Sequence, residues 1–480
     1  MHRPAALAAC VLAALLAAPA LARQSQPGRP VKKAPAPPAT QPAPAAPEQS
    51  PPPPANAAPE KREAPSVGPY IEQSNPRDLA LAVHVTINSD SPRDKVQYRD
   101  PFSGRVVDFP KITPFEFTTL AIIFPVLPST SSSDPYTREV MGSLTLNDRL
   151  ADESIEYMTG YPGGVRFARF DAGSTDRTTT CREVELRMVL PMRCYRTKFD
   201  EPNALRVPWP AGPWPQDVAS ILAPQLYVET GIDAEGNIRP YDAAAVDAAL
   251  TRWLAEEKIS DPKRIAPAAL AKILVGKVWT NVQVQGDGLA LKRTGELSGV
   301  MVQPPAWTLR DQRGSAHDVT VLLAAVLRRA GIPARVLIGW DVSSGDGKFL
   351  DKGSKENTLR SWIEFALYDE KANTLNWVPV DIAKLRASTS RPPPLTQPWR
   401  YFGTHPDLDS VTPFAFHYHP PTDVVSYGWP GFWGWFITPK PPASAEQSIR
   451  LSAAALPVRG GQPPRDPKRP DQPAPSKRGN

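Results

Sequence analysis

The hydrophobic rhythm of the chain changes once along its length. From about Pro69 to Asp200 apolar and polar positions alternate with a period of two. Clear cases are LAVHVTIN (Leu81–Asn88), GSLTLND (Gly142–Asp148), GVRFARFD (Gly164–Asp171) and REVELRMVLP (Arg182–Pro191). Such alternation sends successive side chains to opposite faces of a sheet, and turn-forming residues separate the runs. An antiparallel β-domain, built as a sandwich, is expected over residues 69–205. His84, between Val83 and Val85, falls on the opposite face from them and is expected at the surface.

Past the Pro- and Trp-rich strap VPWPAGPWPQD (Val207–Asp217) the period becomes helical, in Asp242–Glu257, in Pro267–Trp279 and again after Gly314. In that last segment Val319, Leu322, Leu323, Val326 and Leu327 form one apolar stripe. Ser315 is placed to cap the helix, with Asp318 three residues on to reach back in a capping box. Gly331 ends it and Pro333 prevents its continuation. Strand-like runs follow at Ala334–Val342, Arg360–Tyr368 and Asn376–Ala383. Helices followed by strands indicate an α+β fold: an N-terminal antiparallel β-domain, then a mixed domain over 206–400.

The ends read differently. Residues 1–22 have the basic start, apolar middle and small-residue cleavage site (Ala20 to Ala22) of a signal peptide, so an exported protein, periplasmic or extracellular, is expected. Residues 23–68 are a Pro- and Ala-rich linker; 401–440 are an aromatic extension, and 441–480 a basic tail expected to be disordered. Thr118–Leu127 is too short to span a membrane and contains Pro125, and no other run past the leader approaches the required length.

The net charge of +6 comes from the ends: +1 on residues 1–22, +3 on 23–66 and +4 on 457–480, which leaves about −2 on the body. A near-neutral body argues against nucleic acid as a partner. Cys181 and Cys194 flank what reads as a strand pair, and in an exported chain they are expected to form a disulfide.

The stretch LLAAVLRRAGIPARVLIGW (Leu322–Trp340), followed by SWIEFALY (Ser361–Tyr368) and NWVPVDIA (Asn376–Ala383), resembles the transglutaminase-like superfamily, whose relatives include papain-fold cysteine hydrolases. The resemblance covers about 240–390 and implies a catalytic cysteine at the helix start, a histidine opening the next-but-one strand and an aspartate on the strand after. Those positions hold Ala316, Arg360 and Asp381. Only the aspartate of the triad persists. Alanine cannot attack a carbonyl, and a guanidinium does not act as a general base. An aspartate left by its histidine would be a costly unpaired charge, so Arg360 is expected to face Asp381.

Three readings follow. In the first, the domain is a non-catalytic binding or scaffolding module of the cell envelope, whose cleft holds a peptide or cell-wall fragment with Arg360, Asp381, Trp362 and His317 as binding residues. In the second, an active hydrolase or acyltransferase uses Ser315 and His317, which flank the vacated position. In the third, the protein is purely structural, and YGWPGFWGWF (Tyr427–Phe436) plugs the cleft. His317 is expected as a first-turn surface residue. His405, His417 and His419, with Asp409 or Asp423, could supply metal ligands, but polar residues in a covering segment are the simpler reading; no metal or cofactor is expected.

Overall fold

The computed structural model describes residues 68–112, 114–173, 176–225, 229–230, 239, 241–286, 288–291, 297–342, 359–416, 433–439 and 446–456. The expected signal peptide and almost all of the linker lie outside them. The main strands, in chain order, are β1 (Ile71–Asn88), β2 (Thr119–Val126), β3 (Met141–Leu146), β4 (Arg149–Asp152), β5 (Glu156–Met158), β6 (Arg166–Gly173) and β7 (Glu183–Phe199). They continue with β8 (Ala334–Asp341), β9 (Leu359–Asp369), β10 (Thr374–Val380), β11 (Val411–Phe416), β12 (Gly434–Thr438) and β13 (Glu446–Ala455). The helices that matter here are α1 (Ala244–Glu256), α2 (Pro267–Asn281), α3 (Pro305–Asp311), α4 (Ala316–Arg329) and α5 (Ile382–Ser388).

Three antiparallel sheets and a layer of helices make the body. In the first sheet β1 and β7 pair from Ile71 opposite Phe199 to Asn88 opposite Glu183. The order is β13-β1-β7-β3-β4, with Ser133–Pro135 also on β7. Alternation works as the sequence indicates: Leu79, Leu81, Val83, Val85 and Ile87 are buried. His84 points the other way, beside Glu185. The second sheet, in the order β12-β2-β6-β5, supplies the other half of the sandwich. On β2, Leu120, Ile122 and Phe124 join the sandwich core, while Ile123 packs with Phe167 and Trp362 on the reverse face. A strand buried on both faces needs a continuous apolar run, hence TLAIIFPV instead of an alternating pattern.

The third sheet, in the order β10-β9-β8-β11, lies against that reverse face. Its other side meets the helices: Val336, Ile363, Phe365 and Val378 pack with Leu322, Leu323 and Val326 of α4 and with Leu270 and Leu274 of α2. Between the second and third sheets, Arg335 and Glu364 form a buried pair at 2.6 Å. Glu364 also accepts from the Ser131 backbone N–H at 2.8 Å, and Arg335 stacks over Trp377 and Phe416. The sandwich and the mixed region thus share core: Ile338, Trp340 and Phe414 of the third sheet pack with the sandwich residues.

Three expectations change. First, the tail expected after Pro441 contains β13, which pairs with β1 from Leu79 opposite Ala455 to Asn88 opposite Glu446; Ile449, Leu451 and Ala453 are buried. Residues 457–480 lie outside the described residues. Second, the described part of the aromatic segment fills the sandwich. Trp433 and Trp435 belong to its core, and the Trp435 indole donates to Gln447 at 2.6 Å. Residues 427–432 lie outside the description. Third, Cys181 and Cys194 are both free thiols. REVELRMVLPMRC is not a hairpin but most of one continuous strand, β7. At about 3.3 Å per residue, Glu183 and Cys194 lie roughly 36 Å apart, whereas a disulfide requires Cα atoms within about 7 Å.

Candidate functional site

The start of α4 is built as its sequence dictates. Ser315 Oγ accepts from the Asp318 N–H at 3.2 Å, and Asp318 Oδ2 accepts from the Ser315 N–H at 2.8 Å, a complete capping box. The second carboxylate oxygen of Asp318 accepts from the Gln303 N–H at 2.7 Å. Burial pushes the Asp318 carboxyl above its ordinary range, against the pull of these hydrogen bonds. Gly288 closes over this turn with φ +69°; a Cβ there would stand 2.6 Å from Ser315 Oγ and 3.1 Å from His317 Cδ2. At the other end Gly331 takes φ +86°. There the Ile332 N–H bonds to the Leu327 carbonyl at 2.9 Å, the expected left-handed stop.

Ala316 is the first residue inside the helix and is half-buried. Ser315 is buried, with its hydroxyl engaged in the cap. The sequence alone suggests a surface position for His317. It is fully buried instead, because the Gly288 segment covers the first turn.

The helix meets β9 through two hydroxyls: Ser361 Oγ donates to Thr320 Oγ1 at 3.4 Å, and Thr320 Oγ1 donates to the Ala316 carbonyl at 2.7 Å. Ser361, Ile363 and Phe365 therefore face α4, and strand alternation sends Arg360, Trp362 and Glu364 to the other side. Trp362, a candidate binding residue by sequence, is fully buried there with Ile123, Leu337 and Phe416. It is a core residue, because the second sheet covers the face it occupies.

Arg360 Nε donates to Asp381 Oδ2 at 2.7 Å. Its Nη2 donates to Asp407 Oδ1 at 3.1 Å, and its Nη1 stands 3.9 Å from Asp341 Oδ2. Arg360 is 6% exposed and Asp381 0%. The other oxygen of Asp381 caps α5, accepting from the Lys384 N–H at 2.8 Å. Burial works against the guanidinium charge, but Asp381 and Asp407 outweigh it and hold the Arg360 pKa above its ordinary value. Burial likewise raises the Asp407 carboxyl, and Arg360 more than reverses this and lowers it. Among the described residues no hydrogen bond or ion pair joins Arg360 to residues 315–318.

His405 completes the neighbourhood. It is fully buried, its Nε2 is 3.2 Å from the Pro379 carbonyl, and its ring meets Tyr401 edge-on at 5.6 Å. Burial, helped by the Arg360 charge, lowers its pKa to about 4, so the imidazole is neutral at neutral pH. Asp409 is taken by Asn75 and Arg196. His417, His419 and Asp423 lie outside the described residues. Among the described residues no cluster of three or more His, Cys, Asp or Glu could hold a metal ion. Sequence reasoning missed Asp407 and Asp341 as partners of Arg360. Neither carries a local signal: Asp407 follows Arg360 by 47 positions, and Asp341 lies on a different strand, β8.

The geometry is that of a helix N-terminus and two strands arranged around an ion-pair cluster. Residues 272–382 match the transglutaminase-like superfamily. This part of the chain is a transglutaminase-like domain. The match takes in most of α2 and all of α4 and β8–β10; Ala316 opens α4, Arg360 lies on β9 and Asp381 directly follows β10 as the cap of α5. Solved structures with a likeness to the chain include one described as "a Putative Cysteine Protease from Cytophaga hutchinsonii", with 14% identity, TM-score 0.42, and coverage of 81% of this chain and 93% of that one. Another is described as "a Putative Protease from Parabacteroides distasonis", with 10% identity, TM-score 0.19, and coverage of 63% of this chain and 58% of that one. No protein with a curated description matches.

Proposed function

We propose that the transglutaminase-like domain is non-catalytic and serves as a scaffolding module in an exported protein of the cell envelope. The observation that carries this reading is the lock at Arg360. The position that would hold a general base holds a guanidinium committed to Asp381 and Asp407. The nucleophile position is a methyl group, Ala316. A guanidinium does not take a proton near neutral pH, so attack on an amide has neither nucleophile nor base. Of the four residues considered for binding, Arg360, Asp381, Trp362 and His317 are all buried, which favours a structural body over an open peptide groove. The export part rests on residues 1–22 alone.

The relocated-hydrolase reading would need a free Ser315 hydroxyl, but that oxygen is the helix cap. The test is turnover of amide, peptide and amine-transfer substrates, together with labelling by a fluorophosphonate. No signal above background is expected. Hydrolysis abolished by Ser315→Ala would overturn the proposal. Ala316→Cys should yield a thiol that alkylating reagents reach, because the position is half-buried at a helix N-terminus. It should do so without turnover, because the base position is held by the Arg360 guanidinium, committed to Asp381 and Asp407.

A further inference from the structure

The arm Asp90–Ile112 stands apart from the three sheets. Its two strands, Asp90–Arg99 and Val106–Ile112, pair only with each other among the described residues. From Gln97 to Asp108 every side chain is exposed except the half-buried Asp100. The tip turns through Asp100, whose carboxylate accepts from the Phe102 N–H at 2.8 Å and from Ser103 Oγ at 2.6 Å. Gly104 takes φ +67° there. Phe102, at the apex, is 99% exposed. A phenyl ring held wholly in water by an ordered turn contributes nothing to this fold and invites a partner.

The distribution of side chains selects the partner. Tyr98 and Val107 sit directly opposite each other, and Arg99 opposite Val106, so the two pairs occupy opposite faces of the ribbon. Tyr98, Val106 and Val107 are 52%, 57% and 42% exposed. The tip is therefore apolar at its apex and on both faces. A protein partner engages one face, whereas lipid surrounds an inserted tip on every side. Arg99 and Arg105 flank the apex; of the two acids in this stretch, Asp100 is turned inward onto its own loop and Asp108 lies farther from the apex, opposite Gln97. Long cationic side chains can keep their heads at phosphate level while the apex enters the acyl boundary.

We infer that this arm is a membrane-contact element: Phe102 inserts into the interface of an anionic lipid bilayer while Arg99 and Arg105 meet its phosphates. The experiment uses the full chain and vesicles of phosphatidylcholine with or without phosphatidylglycerol. Because the basic ends of the chain can also touch anionic lipid, the deciding readout is at the tip. Phe102→Cys in a Cys10→Ser background, labelled with an environment-sensitive fluorophore, should blue-shift and brighten with anionic vesicles. Cys181 and Cys194 are buried and do not compete for label. Phe102→Ser should lower vesicle binding at least fivefold with thermal stability unchanged. Arg99→Gln with Arg105→Gln should reduce the preference for anionic over neutral vesicles. An unshifted label on vesicle-bound protein, or equal binding by Phe102→Ser, overturns the inference. Loss of a dimer in Phe102→Ser by sedimentation velocity would also overturn it, in favour of a second copy as the partner.

Discussion

Arg360 Nε and Asp381 Oδ2 lie 2.7 Å apart in the interior, joining β9 to the residue that follows β10. The same aspartate caps α5. Asp381→Ala should therefore destabilise the fold by about 3–5 kcal/mol, the usual result of stranding one partner of a buried pair. Loss of the cap would add roughly 1 kcal/mol. Urea unfolding of wild type, Asp381→Asn, Arg360→Gln and the double variant would give the coupling energy. A coupling near zero would show that Asp407 alone satisfies the guanidinium.

The two cysteines should behave as free, protected thiols. Burial pushes the Cys181 thiol up to about 12 and raises Cys194 as well. Native protein should show no reaction of either with a thiol reagent at pH 8. Denatured, unreduced protein should label at both, identified by peptide mapping. Unlabelled cysteines that become reactive only after reduction would mean that the long strand is misplaced.

Stability should fall as the solution is acidified from about pH 6.5 to about 4. His405 is held near 4 by burial and by Arg360, below its unfolded value. In that window the unfolded chain binds a proton that the folded one refuses, so the contribution is fully present above about 6.5 and lost on the way down. The shift corresponds to roughly 3 kcal/mol. The lowered Asp407 pKa acts in the same direction, its contribution being lost as the pH falls through the carboxylate range. His405→Gln should flatten the profile of unfolding free energy between pH 4 and 6.5. An unchanged slope would place the imidazole in water.

Truncation before Glu446 should damage the sandwich, although the removed sequence looks like a dispensable tail. It would expose the outer edge of β1 and the pockets that hold Ile449 and Leu451. Each large apolar side chain contributes about 1.5–3 kcal/mol on burial. The truncated chain should melt well below the parent in a thermal scan and aggregate along the freed edge. Truncation after Leu456 should leave the melting temperature unchanged.

Features that depend on near neighbours were legible in the sequence. The capping box at Ser315 and Asp318, the left-handed stop at Gly331 and the alternation of Leu79–Ile87 each involve residues a few positions apart. The pairing of Arg360 with Asp381 was also expected, from charge, and the two side chains meet. Only the tertiary structure decided the rest. A charge does not announce its partner: Arg360 gains Asp407 because the chain returns after 47 residues to close over the sheet end. Two cysteines 13 positions apart read as a closed pair until one extended strand separates them. EQSIRLSAAA alternates too weakly to claim a strand on its own, and it becomes one because β1 offers an unpaired edge and a buried face. Trp362 and His317 looked available because exposure is set by what packs on top, here the second sheet and the Gly288 segment, and neither lies nearby in sequence.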